Sequence, residues 1–311
     1  MIISASRRTD IPAFYSEWFM NRLQQGFVYV RNPMNPKRIS SVPLNLDVVD
    51  CIVFWTKNAI PMLGHLDKLD AWGYPYYFQF TLTPYDERVE KYVANKAEII
   101  RGFKLLSDRL GKQRVIWRYD PVIVNNRFPV QYHLDAFDKL SGALGDYTKR
   151  CIFSFVDLYA RVKRNTKGIN EISCENMNNI ARGFSIIAKS NNITLETCSE
   201  EIDLHQYAIG HASCIDQKVI EDIVDYSINL KKDTNQRQHC GCIESIDIGA
   251  YDSCPHGCIY CYATSNENTV NSNRPRHDVH SPLLLGQLTD DDILTEKVVK
   301  SLQTTYVSLF P

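Results

Sequence analysis

The sequence predicts an α/β fold, built as a full or partial β/α barrel, with an open doubly wound sheet as the structural alternative. Short runs rich in aromatic and β-branched residues recur along the chain, which favours strands. Amphipathic stretches lie between those runs, and strands that alternate with helices predict a parallel sheet with helical crossovers. No internal repeat or low-complexity linker divides the chain, so we expect one domain over residues 1–311.

The predicted strands are short, and their aromatic and β-branched content distinguishes them from buried helical turns. In chain order they cover residues 2–5, 51–55, 76–82, 114–118, 151–155, 193–197 and 246–248. Helices are predicted over residues 15–25, 61–72, 89–110, 131–144, 177–187 and 217–229. The helix at 177–187 has the clearest pattern, a single apolar stripe formed by Met177, Ile180, Phe184 and Ile187. The polar segment 264–280 is predicted to be a long loop.

Polar residues follow the predicted strands at their carboxyl ends, where a barrel of this kind places its active site. The candidates, in the order of their strands, are Ser6, Thr9, Asp10, Lys57, Thr81, Arg118 and Asp120. Their recurrence after successive strands predicts a polar-lined mouth. The alternative interpretation is that they are ordinary solvated loop residues.

The composition indicates a globular protein with a sizeable core, since 44% of the residues are apolar and 23% are charged. The formal net charge of −1 gives no overall field that would draw the protein to nucleic acid or to membranes. There is no run of about 18 apolar residues, and the first residues lack the pattern of a signal peptide. We therefore expect a cytoplasmic protein with no membrane partner, whose cysteines do not form disulfides.

Three cysteines near the C-terminus, Cys254, Cys258 and Cys261, lie in the stretch "CPHGCIYCYA". A zinc ribbon would need four ligands in two separated pairs, and a catalytic dithiol would need only two cysteines. Three thiolates in one tight loop can bind three irons of a [4Fe–4S] cluster and leave the fourth iron open. Because soft sulfur ligands suit zinc as well as iron–sulfur clusters, zinc remains the alternative.

Four further cysteines fall in the same third of the chain: Cys198, Cys214, Cys240 and Cys242. Together with the first three they define a cysteine-rich region over residues 198–265. Four thiols can hold an auxiliary iron–sulfur cluster or a zinc ion. Their irregular spacing leaves open that they are only small core residues.

The stretch "CPHGCIYCYA" resembles the CxxxCxxC signature of radical S-adenosylmethionine (SAM) enzymes, in the form found in the spore photoproduct lyase and DNA-repair photolyase-like branch. The resemblance implies a [4Fe–4S] cluster whose open iron binds SAM. It also implies reductive cleavage of SAM to methionine and a 5′-deoxyadenosyl radical, which abstracts hydrogen from a substrate. An external one-electron donor, flavodoxin- or ferredoxin-like, is implied as a partner, and Tyr260 is expected beside the adenine.

The order of the motifs indicates a circularly permuted barrel, with the cluster loop near the C-terminus instead of after the first strand. Four stretches resemble later strands and turns of the lyase branch: "SASRRTDI", "FWTKN", "QFTLTPYDERVE" and "IWRYDPVI". This resemblance implies that the polar candidates at the strand ends bind SAM. It supports Arg118 and Asp120 less strongly than the other five. Arg7 stands where the lyase carries a hydrogen-donating cysteine, so its thymine-dimer activity is not expected here. The whole chain looks like the domain of unknown function 1848 family, whose C-terminal cysteines are noted as similar to radical SAM centres.

The sequence thus predicts a radical SAM enzyme of unknown reaction, with nucleotides or nucleic acid among the candidate substrates. The alternative is a non-catalytic nucleic-acid-binding protein that zinc or a cluster stabilises. In that case the basic stretch 161–168, predicted to be a loop, would contact phosphates, although such runs are usually solvated surface.

Overall fold

A computed structural model describes residues 1–158, 160–166 and 169–304. Its strands are β1 (Ile2–Ala5), β2 (Phe27–Arg31), β3 (Arg38–Pro43), β4 (Cys51–Thr56), β5 (Tyr76–Thr81), β6 (Val115–Val122), β7 (Arg150–Phe155), β8 (Thr194–Thr197), β9 (Gly210–His211), β10 (Ile246–Asp247) and β11 (Ile293–Glu296). Eight of them form one sheet in the order β10-β1-β4-β5-β6-β7-β8-β9. Every neighbouring pair in this sheet is parallel.

The helices are α1 (Ile11–Phe14), α2 (Ser16–Gln25), α3 (Ile60–Leu63), α4 (Leu66–Trp72), α5 (Lys96–Leu110), α6 (Val130–Leu144), α7 (Ala160–Asn165), α8 (Cys174–Ser190), α9 (Gln217–Val224) and α10 (Glu267–Asn273). Side-chain caps fix the beginnings of two of the three longest helices, α5 and α8. Asn95 accepts a hydrogen bond from the Glu98 backbone before α5, and Ser173 does the same for Asn176 before α8. Within the described ranges, no helix has both the length and the apolarity that crossing a membrane requires.

The α/β class and the parallel sheet are confirmed, and each of the seven predicted strands is present. The order of strands leaves β10 and β9 at the two edges, and no pairing joins them among the described residues. Closure into a barrel therefore stays a prediction, as does the circular permutation. The two-residue strand β9, beside β8, was not predicted because its sequence is too short to carry an alternating pattern.

Several predicted boundaries were wrong. The helix predicted over 89–110 begins only at Lys96, because Asn95 caps it and the preceding segment runs across to the cysteine loop. The segment 264–280 is not a long loop, since it contains α10 and a 3₁₀ turn at Arg274–Arg276. The basic stretch 161–168 lies largely in α7, and its positions 167 and 168 fall outside the described residues.

A second, three-stranded sheet was missed by the sequence analysis. The antiparallel strands β2 and β3 form a hairpin, and β11 pairs in parallel with β3. β11 is fully exposed and comes from a charged stretch, so no hydrophobic alternation marks it as a strand.

The main sheet is buried on both faces, which explains its nearly continuous apolar strands. One face packs against the helices, where the rings of Phe137 and Phe184 stack with centroids 4.0 Å apart. The opposite face contacts residues 212–243, with Val53, Tyr77 and Ile116 in the same cluster as Ile215. Residues 212–243, which include α9, therefore cover this second face of the sheet.

Candidate functional site

A cavity of about 420 Å³ lies at the carboxyl ends of the parallel strands. All eight residues predicted to bind the cofactor line it: Ser6, Thr9, Asp10, Lys57, Thr81, Arg118, Asp120 and Tyr260. The seven clustered cysteines that the sequence analysis selected also line it: Cys198, Cys214, Cys240, Cys242, Cys254, Cys258 and Cys261. The structure thus brings together, around one cavity, candidates that the sequence spreads over more than 250 positions.

The cysteine loop, residues 254–261, reaches the cavity because of where β10 pairs. β10 lies parallel to β1, with Ile3 opposite Ile246, so the chain leaving β10 emerges beside the chain leaving β1. The loop is also hydrogen-bonded to the segment that follows β5. The Ile259 amide donates to the Val89 carbonyl at 3.0 Å, and the Tyr92 amide donates to the His256 carbonyl at 2.9 Å.

The three thiols of this loop are partly exposed at the cavity. Burial raises the pKa of Cys258 to about 12, despite the nearby Lys57 ammonium. Burial also raises the pKa of Cys254, and the Asp10 carboxylate adds to that effect. Since metals bind thiolates, loading this loop with a metal centre must release protons.

Glu90 is the most buried carboxylate at this site, and the sequence analysis did not select it. Its Oε1 accepts hydrogen bonds from Lys57 Nζ at 2.7 Å, from Thr83 Oγ1 at 2.6 Å and from the Tyr260 hydroxyl. Its Oε2 accepts from Lys96 Nζ at 2.5 Å. Burial opposes ionisation, but the two ammonium groups hold the pKa of Glu90 at about 2. The carboxylate therefore fixes both Lys57 and Tyr260 at the cavity wall.

Asp10 joins three parts of the site through its side chain. Its Oδ1 accepts from the Ala13 amide at 3.0 Å and so caps α1. Its Oδ2 accepts from the Lys57 amide at 2.7 Å and contacts Nε2 of His256 at 2.8 Å. Because His256 stands between Cys254 and Cys258, Asp10 ties the cysteine loop to the ends of β1 and β4. Both carboxylate oxygens are engaged by protein groups.

Three buried polar atoms of cavity-lining residues lack a hydrogen-bond partner among the described residues. They are Oγ1 of Thr9, Nε1 of Trp55 and Nδ1 of His256, and Thr9 and His256 are 5% and 4% exposed. An unsatisfied buried polar group is costly, so native proteins rarely leave one without a partner. Thr81, at the end of β5, lines the same cavity. The position of His256 inside the stretch "CPHGC" was a signal that the sequence analysis passed over.

Asp247, at the end of β10, fixes the loop that follows β1. Its carboxylate accepts hydrogen bonds from Ser4 Oγ at 3.0 Å, Ser6 Oγ at 2.6 Å and the Arg7 amide at 2.8 Å. A Cβ atom at Gly249 would lie 2.1 Å from Ser6 Oγ, so only glycine permits this close approach. Ser6 is thereby held against the strand that leads into the cysteine loop.

Arg118 and Asp120, on the opposite wall, pair with each other in an ion pair. Arg118 Nη1 also donates to the Cys214 sulfur at 2.8 Å. Its guanidinium carbon lies 5.3 Å from the ring centroid of Trp55, and that of Arg7 lies 5.9 Å from the same ring. Both guanidinium groups are thus placed by neighbouring protein side chains, beside the second group of cysteines.

The four cysteines of this second group form a continuous row of contacts. The sulfurs of Cys198 and Cys214 are 3.2 Å apart, and Cys242 is hydrogen-bonded to both Cys214 and Cys240. All four side chains are buried. The hydrogen bond with Cys242 lowers the pKa of Cys240 to about 6 against the opposing effect of burial. The row therefore favours the thiolate form at Cys240.

In the described part of the chain, no three His, Cys, Asp or Glu side chains converge closely enough to coordinate a single metal ion. A mononuclear zinc site would require such convergence. A [4Fe–4S] cluster places each thiolate on a different iron, so its cysteines surround a larger object and need not meet at one point.

A family model described as "Domain of unknown function (DUF1848)" matches residues 2–263. That span includes every strand of the eight-stranded sheet and the complete cysteine loop. No curated protein and no solved structure matches the chain.

Proposed function

Because this chain belongs to the DUF1848 family, whose description names no activity, we propose its function from its own site. We infer that the protein is a radical SAM enzyme that holds a [4Fe–4S] cluster on Cys254, Cys258 and Cys261. When bound, the cluster supplies the electron that cleaves SAM to methionine and a 5′-deoxyadenosyl radical, which takes hydrogen from a substrate. The observation that carries this proposal is that the three thiols and all eight predicted cofactor residues line one cavity.

The position of the cysteine loop in the sheet supports a permuted barrel. The strand that leads into the loop, β10, is near the end of the matched region, yet it pairs beside the first strand of the chain. Strand neighbours and loop positions define such a site, whereas the order of connection does not. In a permuted barrel, a loop beside β1 would stand where a leading strand places it in an unpermuted chain.

The donor set also fits the proposed cofactors. Three sulfur ligands in a loop with one side open to a cavity suit a cluster with a vacant position. SAM carries a sulfonium, an ammonium, a carboxylate and ribose hydroxyls, and it needs both donors and acceptors. The unpartnered Thr9 Oγ1 and His256 Nδ1 are available for such contacts, and Thr81 adds a third polar group at the wall.

Asp10 and Lys57 have roles that their hydrogen bonds define. We assign Asp10 as a positioning residue, since both its carboxylate oxygens already accept from protein donors. The Lys57 ammonium is paired with Glu90 and lies 5.5 Å from the ring centroid of Tyr260. It places a positive charge beside Cys258 and fixes the ring that is expected next to the adenine.

We further propose that Cys198, Cys214, Cys240 and Cys242 hold an auxiliary iron–sulfur cluster, because a zinc ion would need its ligands to converge on one point. Their unbroken row of contacts and their place on the same cavity support this assignment. Arg118 donates to Cys214 and supplies a positive charge that would offset the thiolates. An auxiliary centre here would face the substrate from the side opposite the cysteine loop.

The decisive experiment measures iron, sulfide and zinc per chain after anaerobic reconstitution, together with 5′-deoxyadenosine formed from SAM under dithionite. Replacing Cys254, Cys258 and Cys261 together by alanine should remove about four iron atoms per chain and abolish the nucleoside. Cys174→Ala, an exposed cysteine on α8, is the matched control and should change neither quantity. A colourless protein that holds only zinc and forms no 5′-deoxyadenosine would refute the proposal.

A further inference from the structure

A second cavity, of about 790 Å³, adjoins the first. Arg8 and Tyr262 line both cavities, so the two share a common boundary. The walls of the second cavity come from β2 and the turn after it, from the residues after β10, and from residues 273–285. This space lies outside the proposed cofactor sites, and no sequence motif pointed to it.

Three tyrosines, Tyr29, Tyr251 and Tyr262, line the second cavity. The ring of Tyr262 is 44% exposed, and its hydroxyl donates to the Arg7 carbonyl at 2.8 Å, which fixes the direction of the side chain. The guanidinium carbon of Arg8 lies 5.3 Å from the ring centroid of Tyr251. Exposed aromatic faces in a concave wall are suited to stacking with planar heterocycles such as nucleobases.

The same wall carries one guanidinium group, that of Arg276, which no described carboxylate neutralises. Arg276 is exposed and donates to the Asn273 side-chain oxygen at 3.1 Å, but it forms no ion pair with a described carboxylate. Arg8 forms a long ion pair with Asp247, with Nε 3.8 Å from Oδ1. The acidic residue of the wall, Asp252, already accepts hydrogen bonds from Ser265.

The Arg276 guanidinium packs closely against the backbone at Gly286. A Cβ atom at Gly286 would lie 2.9 Å from Arg276 Nη2, so the glycine leaves room for the guanidinium. The Gly286 amide also donates to the Arg276 carbonyl at 2.8 Å, which ties the two backbone segments together. A guanidinium that packs here and lacks a described carboxylate partner is suited to bidentate contact with phosphate.

We propose that the second cavity binds a nucleoside phosphate, with the base on the tyrosine rings and the phosphate on Arg8 and Arg276. Its volume lies in the range of pockets that bind ligands of this size. Because Arg8 and Tyr262 border both cavities, a nucleotide bound here would extend toward the cysteine loop. The statement that this nucleotide is the substrate rests on the proposed radical SAM function, whereas the binding site itself does not.

Binding is tested by calorimetry on the full chain as purified, with adenosine and cytidine monophosphates as probes. The matching nucleosides and inorganic phosphate are the fragment controls, and each should bind more weakly than the monophosphate. Arg276→Gln should weaken monophosphate binding by roughly tenfold or more. Arg182→Gln is the matched control, since Arg182 is also exposed and also donates to an asparagine three positions earlier, and it should leave affinity unchanged.

Failure of this inference can be told apart from failure of the proposed function. Monophosphates that do not bind, or that bind wild type and Arg276→Gln equally, overturn the nucleotide site even if 5′-deoxyadenosine is still formed. Conversely, Arg276-dependent binding in a protein that does not cleave SAM supports the site while removing the radical SAM function. If a short single-stranded oligonucleotide binds more tightly than the monophosphate, the nucleotide that the cavity takes belongs to a nucleic-acid chain. If the two bind with equal affinity, the ligand is a free nucleotide.

Discussion

Replacing Glu90 by glutamine tests how the cysteine loop is held. Glutamine has nearly the same shape as glutamate, so it keeps the packing and removes the charge. In the folded protein the carboxylate accepts from Lys57, Lys96, Thr83 and the Tyr260 hydroxyl, and the Glu90 side chain is only 1% exposed. The substitution leaves two ammonium groups without their counter-charge in a largely buried setting.

The expected loss in unfolding free energy is about 3 kcal/mol. Breaking a buried ion pair by removing one partner typically costs 3–5 kcal/mol, because the remaining charge stays uncompensated. The Lys57 side chain is 12% exposed and carries most of that cost. Lys96 is 31% exposed, so water compensates part of its charge and its contribution is smaller.

Urea unfolding, followed by circular dichroism, measures this loss. With a urea dependence of about 3 kcal/mol per M, the midpoint should fall by roughly 1 M. Glu87→Gln is the control, since Glu87 is an exposed carboxylate in the same loop, and it should change stability by less than about 0.5 kcal/mol. If Glu90→Gln and Glu87→Gln unfold at the same urea concentration, the buried carboxylate does not hold the loop.

The pH dependence gives a second check on the same residue. The pKa of Glu90 is about 2 in the folded protein, below its ordinary value of 4.5. Its stabilisation is therefore fully present above pH 4.5 and is lost as the pH falls from 4.5 through about 2. The difference between wild type and Glu90→Gln should stay constant down to pH 4.5 and narrow below it. A difference that widens on acidification would contradict this account.

Three further substitutions test other parts of the fold and the site. Burial lowers the pKa of His133 from 6.5 to about 4, so the free energy of unfolding should fall as the pH drops from 6.5 to 4. In urea unfolding at several pH values, His133→Gln should remove up to about 3 kcal/mol of that pH dependence. The same change at the exposed His280 should leave the pH dependence as it is. Asp10→Asn removes the charge that faces His256 and should lower the free energy of unfolding by about 1–3 kcal/mol, which thermal unfolding would show as a lower midpoint. An unchanged midpoint would contradict the positioning role of Asp10. Phe137 is stacked on Phe184 in the core, so Phe137→Ala should lower the free energy of unfolding by about 3–5 kcal/mol in urea. Phe137→Leu should lower it clearly less. Equal losses for the two variants would contradict the importance of that stacking.

Local patterns identified the main sheet because its strands are buried on both faces. Such strands are almost continuously apolar, as β4 and β5 are, and this composition is visible without knowledge of the fold. The small sheet was missed because β11 is exposed along its whole length and pairs with residues more than 250 positions earlier. The start of α5 was misplaced because the apolar residues before it, such as Val89, contact the cysteine loop instead of continuing a helix.

The cysteines and the polar strand ends could be selected from the sequence because their chemistry or their position is distinctive. Glu90 could not, although it is the last residue of the quoted stretch "QFTLTPYDERVE", since one more acidic residue in a polar loop carries no local signal. Its importance comes from Lys57, Lys96 and Tyr260, which reach it from separate parts of the chain. The second cavity is likewise a product of distant segments that no motif connects.

The attachment of the cysteine loop explains why three carboxylates surround it. β10, the strand that leads into the loop, pairs with β1 over only two residue positions, so its backbone hydrogen bonds contribute little. Asp247 binds the strand that leads into the loop to the end of β1. Asp10 binds the middle of the loop through His256, and Glu90 binds its end through Tyr260. A loop that must present three thiols to a cavity needs a fixed shape, and here side-chain hydrogen bonds supply what the short strand cannot. Loss of any one of these carboxylates should therefore disturb the geometry of the thiols before it disturbs the sheet.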